Sequence, residues 1–272
     1  MLSSIPHLSW TGQPTYDTVL TVALGYVVFV AIAAWFVPTP YGRFETGRFG
    51  LRLDPRLGWF LMELPASLSF LYFYMQGPRR TDPVPLLFLA VWLIHYANRG
   101  FLFPLLMRVP RGQSASFSFM VVAIGWFSTT LHGYLHATFF TGADLGSHYT
   151  VAWLSDPRFW IGIVLYYVAM AGNVHSDAIL RNLRTPAEVA AGSRVYRIPQ
   201  GGLFRYVTNP SYLTELVAWA GLAIATWSWA GVYILTLSAA NLIPRAFSTH
   251  RWYRDRFPDY PPQRRALIPF LL

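Results

Sequence analysis

The segments GWFLMELPASLSFLYFY, residues 58–74, and LFLAVWLIHYANRGFLFPLL, residues 87–106, decide the fold of this chain. Both are almost wholly apolar and long enough to cross a bilayer. Yet Glu63 lies in the first segment, and Tyr96 and Arg99 lie in the second. A charged side chain at the centre of a bilayer costs about 2.5–3.5 kcal/mol, so such residues face the interior of a helix bundle and serve a function there. We therefore predict a polytopic membrane protein with a polar, catalytic cavity.

The composition supports this class of protein. Apolar residues make up 54% of the 272 residues and charged residues 12%, against about 25% charged residues in soluble domains. The absence of cysteine excludes a disulfide framework and cysteine-based metal chemistry. The 21 basic residues are all arginine, which excludes a Schiff-base lysine or a P-loop lysine. The net charge of +9 is distributed over the loops between apolar segments, so we expect no nucleic-acid partner.

Seven segments are candidates for spanning helices, each of which needs about 20 largely apolar residues. We predict an all-α fold with seven transmembrane helices at residues 18–37, 58–75, 84–106, 115–140, 159–176, 211–229 and 231–246. The last two are separated by a tight connection near Ala230–Gly231. The longest interval between spans, residues 177–209, is too short for a soluble domain, so residues 1–272 are predicted to form a single membrane domain.

The arginines between the spans predict the orientation. Seventeen fall on the side of the C-terminus, and three, Arg79, Arg80 and Arg158, fall on the other side. The positive-inside rule therefore places the C-terminus in the cytoplasm and the N-terminus outside. The first sixteen residues contain no basic residue, so we expect no cleavable signal peptide. The seventeen are Arg43, Arg48, Arg52, Arg56, Arg108, Arg111, Arg181, Arg184, Arg194, Arg197, Arg205, Arg245, Arg251, Arg254, Arg256, Arg264 and Arg265.

Polar residues share one helical face at the end of the fifth predicted span. Asn173, Asp177 and Arg184 are spaced i, i+4 and i+11 and lie within about 40° of one another. An amide, a carboxylate and a guanidinium in this order suit a ligand with a polar head and a phosphate tail. Downstream, Gly201–Gly202 predicts a tight turn that a ligand can approach closely, although the G-x-G-x-x-G pattern of a Rossmann unit is missing.

The sixth predicted span carries a second polar face. Tyr212, Glu215 and Trp219 are spaced i, i+3 and i+7, and Glu215 in lipid needs a partner inside the bundle. Asn209 or Ser211 is placed to cap the N-terminus of this helix, which is a favoured position for phosphate. Together the two faces predict a binding site for an anionic ligand in the C-terminal half of the chain, about residues 159–272.

A histidine pair in the fourth predicted span has the spacing of a metal site. His132 and His136 are four positions apart, as in helical two-histidine zinc sites. No glutamate lies between them and no nearby carboxylate completes a set of ligands. We therefore predict no metal and interpret both as interfacial or buried structural histidines.

Seven motifs in one order carry a resemblance to a known family. They are PYGRF at 40–44, ELP at 63–65, HYANR at 95–99, HSDAILRNLR at 175–184, YRIPQGGLF at 196–204, PRAFSTHRWY at 244–253 and YPPQRRALIPFLL at 260–272. From about residue 40 to its end the chain resembles the steroid 5α-reductase (3-oxo-5α-steroid 4-dehydrogenase) family. The resemblance implies a seven-helix membrane reductase that uses NADPH to saturate the double bond of a 3-oxo-Δ4 steroid.

The resemblance also implies roles for individual residues. Glu63 and Tyr96 match the catalytic pair that grips the substrate ketone, and Trp59 and Trp219 match residues near the steroid. The positions matching cofactor-binding residues are Tyr41, Arg99, Asn173, Asp177, Arg184, Arg197, Ser211, Tyr212, Glu215, Arg245 and Tyr253. Addition of hydride to an enone places negative charge on the ketone oxygen, so a donor aimed at that oxygen lowers the barrier. The sequence does not choose between Glu63, Glu215 and the cofactor as the partner of Arg99.

The resemblance further implies a steroid that enters from the bilayer and NADPH that enters from the cytoplasm. We expect a monomeric multi-pass protein of a bacterial cytoplasmic membrane or the endoplasmic reticulum. The chain departs from the family pattern at Met62, Ser211 and Thr249, where Gln, Asn and His are common, and these changes affect fine substrate preference and some cofactor contacts. Three alternatives stay open: a sterol double-bond reductase, an isoprenylcysteine methyltransferase-like enzyme, and a non-catalytic sterol-binding membrane protein. The ELP and HYANR motifs argue against the methyltransferase.

Overall fold

The computed structural model describes residues 8–37, 40–44, 50–110, 112, 116–192 and 195–272. Three arginines used to predict the orientation, Arg48, Arg111 and Arg194, lie outside the described residues, as does residue 115 at the start of the fourth predicted span. The described part of the chain is mainly helical.

The helices follow the predicted segments closely. In chain order they are α1 (Pro14–Phe36), α2 (Pro55–Gln76), α3 (Pro83–Tyr96), α4 (Phe103–Leu106), α5 (Phe119–Thr141), α6 (Pro157–Asn182), α7 (Pro186–Ala190), α8 (Pro210–Thr226) and α9 (Trp229–Arg256). Among the described residues, four helical stretches are long and apolar enough to cross a membrane: Pro14–Phe36, Pro83–Leu106, Pro157–Asn182 and Trp229–Arg256. The last runs ten residues beyond the predicted span because hydropathy marks only the apolar part of a helix.

Side-chain caps fix where several helices begin. Asp54, Ser118 and Asp156 each accept a hydrogen bond from the backbone N–H two residues later, at 2.8, 3.2 and 2.8 Å. Such caps satisfy amides that have no partner within the helix. The predicted side-chain cap of α8 by Asn209 or Ser211 is wrong. The Asn209 side chain at the N-cap position donates to the carbonyls of Ala246 and Ala266, at 3.1 and 2.8 Å, and the Ser211 hydroxyl donates to Asp177.

A π-helical turn interrupts the third predicted span. The turn Ala97–Leu102 joins α3 to α4. Pro104 has no N–H to donate to the preceding turn, which favours such an irregularity, and single π turns are frequent at functional sites. Gly100 in the turn lies against α2, where an added Cβ would be 3.3 Å from the Cβ of Glu63. The turn therefore brings Arg99 and Glu63 onto one face of the bundle interior.

The connection between the last two long helices differs from the prediction. It consists of Trp227 and Ser228, whereas Ala230 and Gly231 lie within α9. Trp227 adopts a left-handed conformation with φ +46°, and the Ser228 hydroxyl accepts from the Gly231 N–H at 3.0 Å. Gly231 serves packing and not a turn, because a Cβ there would lie 2.6 Å from the Ala223 Cα.

The long helices form two groups. The first group is α2, α5 and the stretch α3–α4, with α2 packed along α5; the second is α1, α6, α8 and α9, with α6 packed along α8 and α9 packed on both α1 and α8. Close backbone approaches between the groups are sparse, the main ones joining α5 to α1 and α9. We call the interface between the groups the seam. Large aromatic and polar side chains fill it, among them Tyr96, Arg99 and Glu215.

Two glycines set the spacing within the second group. A Cβ on Gly162 of α6 would lie 2.3 Å from the Ala225 backbone nitrogen, and one on Gly221 of α8 would lie 2.7 Å from the Gly162 carbonyl oxygen. Small residues let helix backbones approach closely in membrane proteins. The pair α6–α8 is therefore in direct backbone contact at this point.

A short antiparallel ladder lies beside the end of the seam that carries the first-loop arginines. Strand β1 (Arg52–Leu53) pairs with β2 (Phe117–Ser118), and Tyr41 forms an isolated bridge to Phe117. The rings of Tyr41 and Phe117 stack at 5.5 Å. The ladder holds the segment around Tyr41 against the helix bundle.

Candidate active site

Arg99 is the cation at the centre of the seam. Its Nη1 lies 3.8 Å from Oδ2 of Asp177 on α6, and the guanidinium is within electrostatic reach of Glu63 and Glu215. The ring of Trp59 lies below the guanidinium at 4.6 Å, and its Nε1 donates to the Arg99 carbonyl at 3.0 Å. Arg99 thus draws carboxylates from both helix groups to one point. Its ion-pair partner is Asp177, and not one of the partners that the sequence left open, Glu63, Glu215 and the cofactor.

Polar contacts between α6 and α8 extend this cluster. The Ser211 hydroxyl donates to Asp177 at 2.6 Å. The Asn173 amide donates to the Ser211 carbonyl at 2.8 Å and to Glu215 Oε2 at 3.2 Å. On the other side of the seam, His95 Nε2 lies 3.8 Å from Glu215 Oε1. The two predicted polar faces therefore meet, and Glu215 finds the inward partners that its position requires.

Glu63 and Tyr96 lie on the first-group side of the seam. Tyr96 is only 2% exposed and packs between Trp92 and His95, with ring centroids at 4.9 and 5.0 Å. Glu63 is close enough to Tyr96 for an electrostatic interaction, although no hydrogen bond joins these two described residues. Both are also within electrostatic reach of Arg99. The structure thus brings the predicted catalytic pair to one place beside the charged cluster.

A cavity of about 610 Å³ opens next to the cluster. Six arginines line it: Arg43, Arg52, Arg108, Arg181, Arg184 and Arg245. Asp177 is the one carboxylate among its described lining residues. Guanidinium groups bind phosphate through paired hydrogen bonds, so this arginine-lined cavity is suited to a ligand with several phosphates. Its size is in the range of pockets for small molecules and cofactors.

Arg245 forms the inner wall of the arginine-lined cavity. Its Nε donates to the Tyr212 hydroxyl at 3.0 Å, and its guanidinium lies 3.7 Å from the centre of the Tyr41 ring. Enclosure in the cavity wall raises the pKa of Tyr41 to about 12, although the Arg245 cation opposes this effect. The Tyr41 phenol therefore stays protonated at neutral pH and remains a hydrogen-bond donor.

The predicted cofactor residues separate into three positions. Those that line the cavity are Tyr41, Asp177, Arg184, Ser211, Tyr212, Arg245 and Tyr253. Arg99, Asn173 and Glu215 lie behind its wall, in the seam. Arg197 lies on the surface, where it pairs with Glu188 at 2.5 Å and donates to the Leu183 carbonyl. The cavity and the seam together therefore hold ten of the eleven predicted cofactor positions.

The predicted steroid-contacting tryptophans occupy opposite sides of the seam. Trp219 of α8 contacts His95 at a ring distance of 4.4 Å and Tyr166 at 6.3 Å. Trp59 of α2 packs on Phe103 at 5.0 Å. Neither these two nor the Glu63–Tyr96 pair lines the arginine-lined cavity, so the predicted steroid position lies outside it.

Several residues of the site were not predicted to belong to it: Arg43 and His95, and also Arg52, Arg108 and Arg181 of the cavity wall. Arg43 lines the cavity, and its guanidinium rests on the rings of Trp252 and Tyr253 at 4.6 and 4.9 Å. His95 joins Glu215 to Tyr96 across the seam. The available signal for Arg43 and His95 was their position inside the PYGRF and HYANR motifs, next to Tyr41 and Tyr96. For the loop arginines, including Arg43, the sequence favours a role in topology over binding of an anionic ligand.

The histidine pair of α5 is buried within the bundle. His136 is completely buried and its Nδ1 hydrogen bonds to the His132 carbonyl at 2.9 Å. In the described part of the chain, no group of three side chains of the types that ligate metals comes together.

Comparison with known proteins gives a consistent set of relatives. A family model described as 3-oxo-5-alpha-steroid 4-dehydrogenase matches residues 115–272. The chain is 38% identical to 3-oxo-5-alpha-steroid 4-dehydrogenase 1 of Rattus norvegicus over 251 residues, which are 91% of this chain and 92% of the rat protein. It is 34% identical to steroid 5-alpha-reductase DET2 of Gossypium hirsutum over 245 residues, 88% of this chain and 91% of the plant protein. The similarity therefore extends over most of the chain.

Proposed function

The chain belongs to the 3-oxo-5-alpha-steroid 4-dehydrogenase family of enzymes that reduce a steroid double bond, and on that premise we propose that it reduces 3-oxo-Δ4 steroids to 3-oxo-5α-steroids with NADPH. The observation that carries the proposal is the charged cluster around Arg99. It lies between an arginine-lined cavity suited to phosphates and a buried tyrosine suited to polarising a ketone.

The residues of the cavity and the seam fit NADPH. The arginines of the cavity, with Arg184 and Arg245 nearest the predicted polar faces, would hold its phosphates. In the seam, Asn173 and Glu215 offer an amide and a carboxylate that suit a carboxamide group. When bound, NADPH supplies the hydride for the reaction. An additional phosphate is a favourable partner for a wall with six guanidinium groups, and this favours NADPH over NADH.

Tyr96 and Glu63 would act on the ketone. Arrival of the hydride at C5 shifts the electron pair of the C4–C5 double bond toward C4, and the negative charge spreads to the ketone oxygen as an enolate. The Tyr96 hydroxyl donates to this oxygen, and Glu63 orients the phenol or, when protonated, donates to the same oxygen. The enolate then collapses as C4 takes a proton supplied by solvent after the hydride transfer, which yields the saturated ketone. Exclusion of water by the seam protects the hydride donor from side reactions.

We propose a membrane arrangement to go with this reaction. The four spans identified by length and apolarity, together with α2, α5 and α8, would make seven, with the N-terminus outside and the C-terminus in the cytoplasm. The arginine-lined cavity is then on the cytoplasmic side, where NADPH is available. The steroid would enter the seam from the bilayer, in which it is soluble.

A labelling experiment tests the reaction. Purified protein in lipid is supplied with a 3-oxo-Δ4 steroid and NADPH that carries deuterium at its transferable position, and the product is analysed by mass spectrometry and NMR. We expect one deuterium per product molecule, at C5, and much slower turnover with NADH at the same concentration. Steroid binding without turnover would show that the protein is a carrier. Equal rates with NADH and NADPH would contradict the assignment of the cofactor.

A further inference from the structure

Several buried polar atoms in the seam have no hydrogen-bond partner and no part in the proposed reaction. They are both ring nitrogens of His95 and of His132, Nε2 of His136, and the hydroxyls of Tyr166 and Tyr233. A buried polar group without a partner is costly, and folded proteins retain few of them unless a ligand, ion or water satisfies them. Their concentration in one interface points to a polar ligand group.

Two of these residues, His132 of α5 and Tyr233 of α9, face each other between the two helices. The rings of His132 and Tyr233 are 5.5 Å apart, and Tyr233 is completely buried. In the next turn of α5, the His136 Nδ1 hydrogen bonds to the His132 carbonyl, so this nitrogen is the donor and Nε2 is left as an acceptor. Because α5 packs closely on α2 and only lightly on α9, His132 and Tyr233 lie where few backbone contacts join the two helix groups.

The position of this pair relative to Tyr96 fits the far end of the substrate. Phe103 of α4, and Met107 just after it, line the arginine-lined cavity on the C-terminal side of Tyr96. Trp92 is one turn away on the opposite side of Tyr96, with ring centroids at 4.9 Å, and it contacts His136 at 4.7 Å. If the ketone is at Tyr96 and the cofactor fills the cavity, the direction away from the cavity leads the other steroid rings past Trp92 toward the α5 histidines.

We propose that His132 and Tyr233 bind a hydroxyl group at the end of the steroid remote from the enone. This inference rests on the proposed function, because it uses the ketone position at Tyr96. A neutral imidazole offers one acceptor and one donor, and a phenol can donate. A hydroxyl group can donate to the imidazole and accept from Tyr233 at the same time, whereas a ketone can only accept. The pair therefore selects a D-ring hydroxyl over a D-ring ketone, and over a D-ring without oxygen.

The test compares three 3-oxo-Δ4 steroids that carry a D-ring hydroxyl, a D-ring ketone or no D-ring oxygen. For the unmodified protein we expect the highest kcat/KM with the hydroxyl compound. Tyr233→Phe and His132→Leu should each lower the ratio of kcat/KM between the hydroxyl and deoxy compounds by about two- to tenfold, the range for one neutral hydrogen bond. The loss should be mainly in KM, and His132→Gln should restore part of it.

Controls distinguish this inference from the proposed function. Tyr72→Phe removes the same hydroxyl from a 65% exposed tyrosine of α2, so the ratio should stay unchanged. NADPH binding by each variant reports whether it is folded. Equal losses for the hydroxyl and deoxy compounds, or an unaltered ratio, would overturn the inference and assign the pair to buried water or packing. Failure of the unmodified protein to reduce any of the three steroids would overturn the proposed function instead.

Discussion

Tyr96 and Glu63 are the residues on which the proposed reaction depends most directly. Tyr96→Phe removes one hydroxyl from a buried ring, so the packing on Trp92 and His95 should persist. We expect a rate loss of about 100- to 1,000-fold, as for removal of a donor to a developing oxyanion. Glu63→Gln should be similarly damaging. Single-turnover reduction of a 3-oxo-Δ4 steroid at saturating NADPH measures both.

The double variant tests whether the two residues act as a unit. Because both would act on one oxygen, Tyr96→Phe combined with Glu63→Gln should be little slower than the slower single variant. NADPH affinity serves as the control and should remain normal in all three proteins. Near-normal rates in a folded Tyr96→Phe protein would refute its role, and additive losses would show two independent contributions.

Arg184 is the residue at which cofactor choice is best tested. It lines the cavity, and its removal should raise KM for NADPH by about tenfold or more, since a hydrogen bond to a charged group contributes about 1.5–3 kcal/mol. The KM for NADH, which lacks the extra phosphate, should change less. The preference for NADPH over NADH should therefore become smaller. Arg205→Ala is the matched control, because Arg205 is exposed and does not line the cavity. An unchanged preference for NADPH over NADH after Arg184→Ala would show that Arg184 does not bind the extra phosphate.

At the scale of elements, the π turn between α3 and α4 is the feature that places Arg99. Gly100→Ala adds a methyl group 3.3 Å from the Glu63 Cβ, so Glu63 or the turn must shift. We expect a folded protein with a rate reduced about tenfold, because small displacements of catalytic groups are costly. Gly25→Ala is the control, since a Cβ there meets nothing within 4 Å. Equal rates for both variants would show that the contact of Gly100 with Glu63 is not important for catalysis.

The short helix α7 gives a test of pH dependence. A hydrogen bond from Arg197, together with the Thr185 N–H, lowers the pKa of Glu188 from 4.5 to about 2. The carboxylate therefore stabilises α7 above pH 4.5, and this stabilisation is lost as the pH falls from 4.5 toward 2. Glu188→Gln at neutral pH should raise amide exchange in Pro186–Ala190 and leave the thermal unfolding temperature unchanged, because the pair is exposed. Asp259→Asn, a change at another surface acid, should alter neither quantity. A lower unfolding temperature in Glu188→Gln would show that the Glu188–Arg197 pair stabilises more of the protein than α7.

At the scale of the whole molecule, the absence of cysteine allows a direct test of the seven-span arrangement. Thr81 precedes α3 and Ala187 lies in α7, and both side chains are exposed. With a membrane-impermeant maleimide applied to intact cells, Thr81→Cys should be labelled, and Ala187→Cys only after the membrane is opened. The unmodified chain is the control because it has no thiol. The reverse pattern would invert the orientation, and labelling of both in intact cells would exclude an odd number of spans between them.

Hydropathy was sufficient to locate the long helices, and the cost of charge in lipid was sufficient to identify Glu63, Arg99, Asp177 and Glu215 as inward-facing residues. The pairing of Arg99 with Asp177 could not be predicted, because it depends on the rotation of each helix about its axis. The same holds for Asn209, which faces two distant carbonyls and not its own helix end. The π turn could not be predicted either, because one extra residue within a turn does not interrupt a run of apolar residues.

The backbone contact between Gly162 and Gly221 bears on where inherited amino-acid variants would damage the enzyme. It lies on α6 about 16 Å along the helix axis from Asn173, at the rise of 1.5 Å per residue, and it touches neither the cavity nor the charged cluster. Yet it fixes the register of α6 against α8, and hence Asp177 against Ser211 and Asn173 against Glu215. A side chain at either glycine would misalign every one of these partners at once. Harmful variants of such an enzyme are therefore to be sought at remote glycines as much as among residues that meet a ligand.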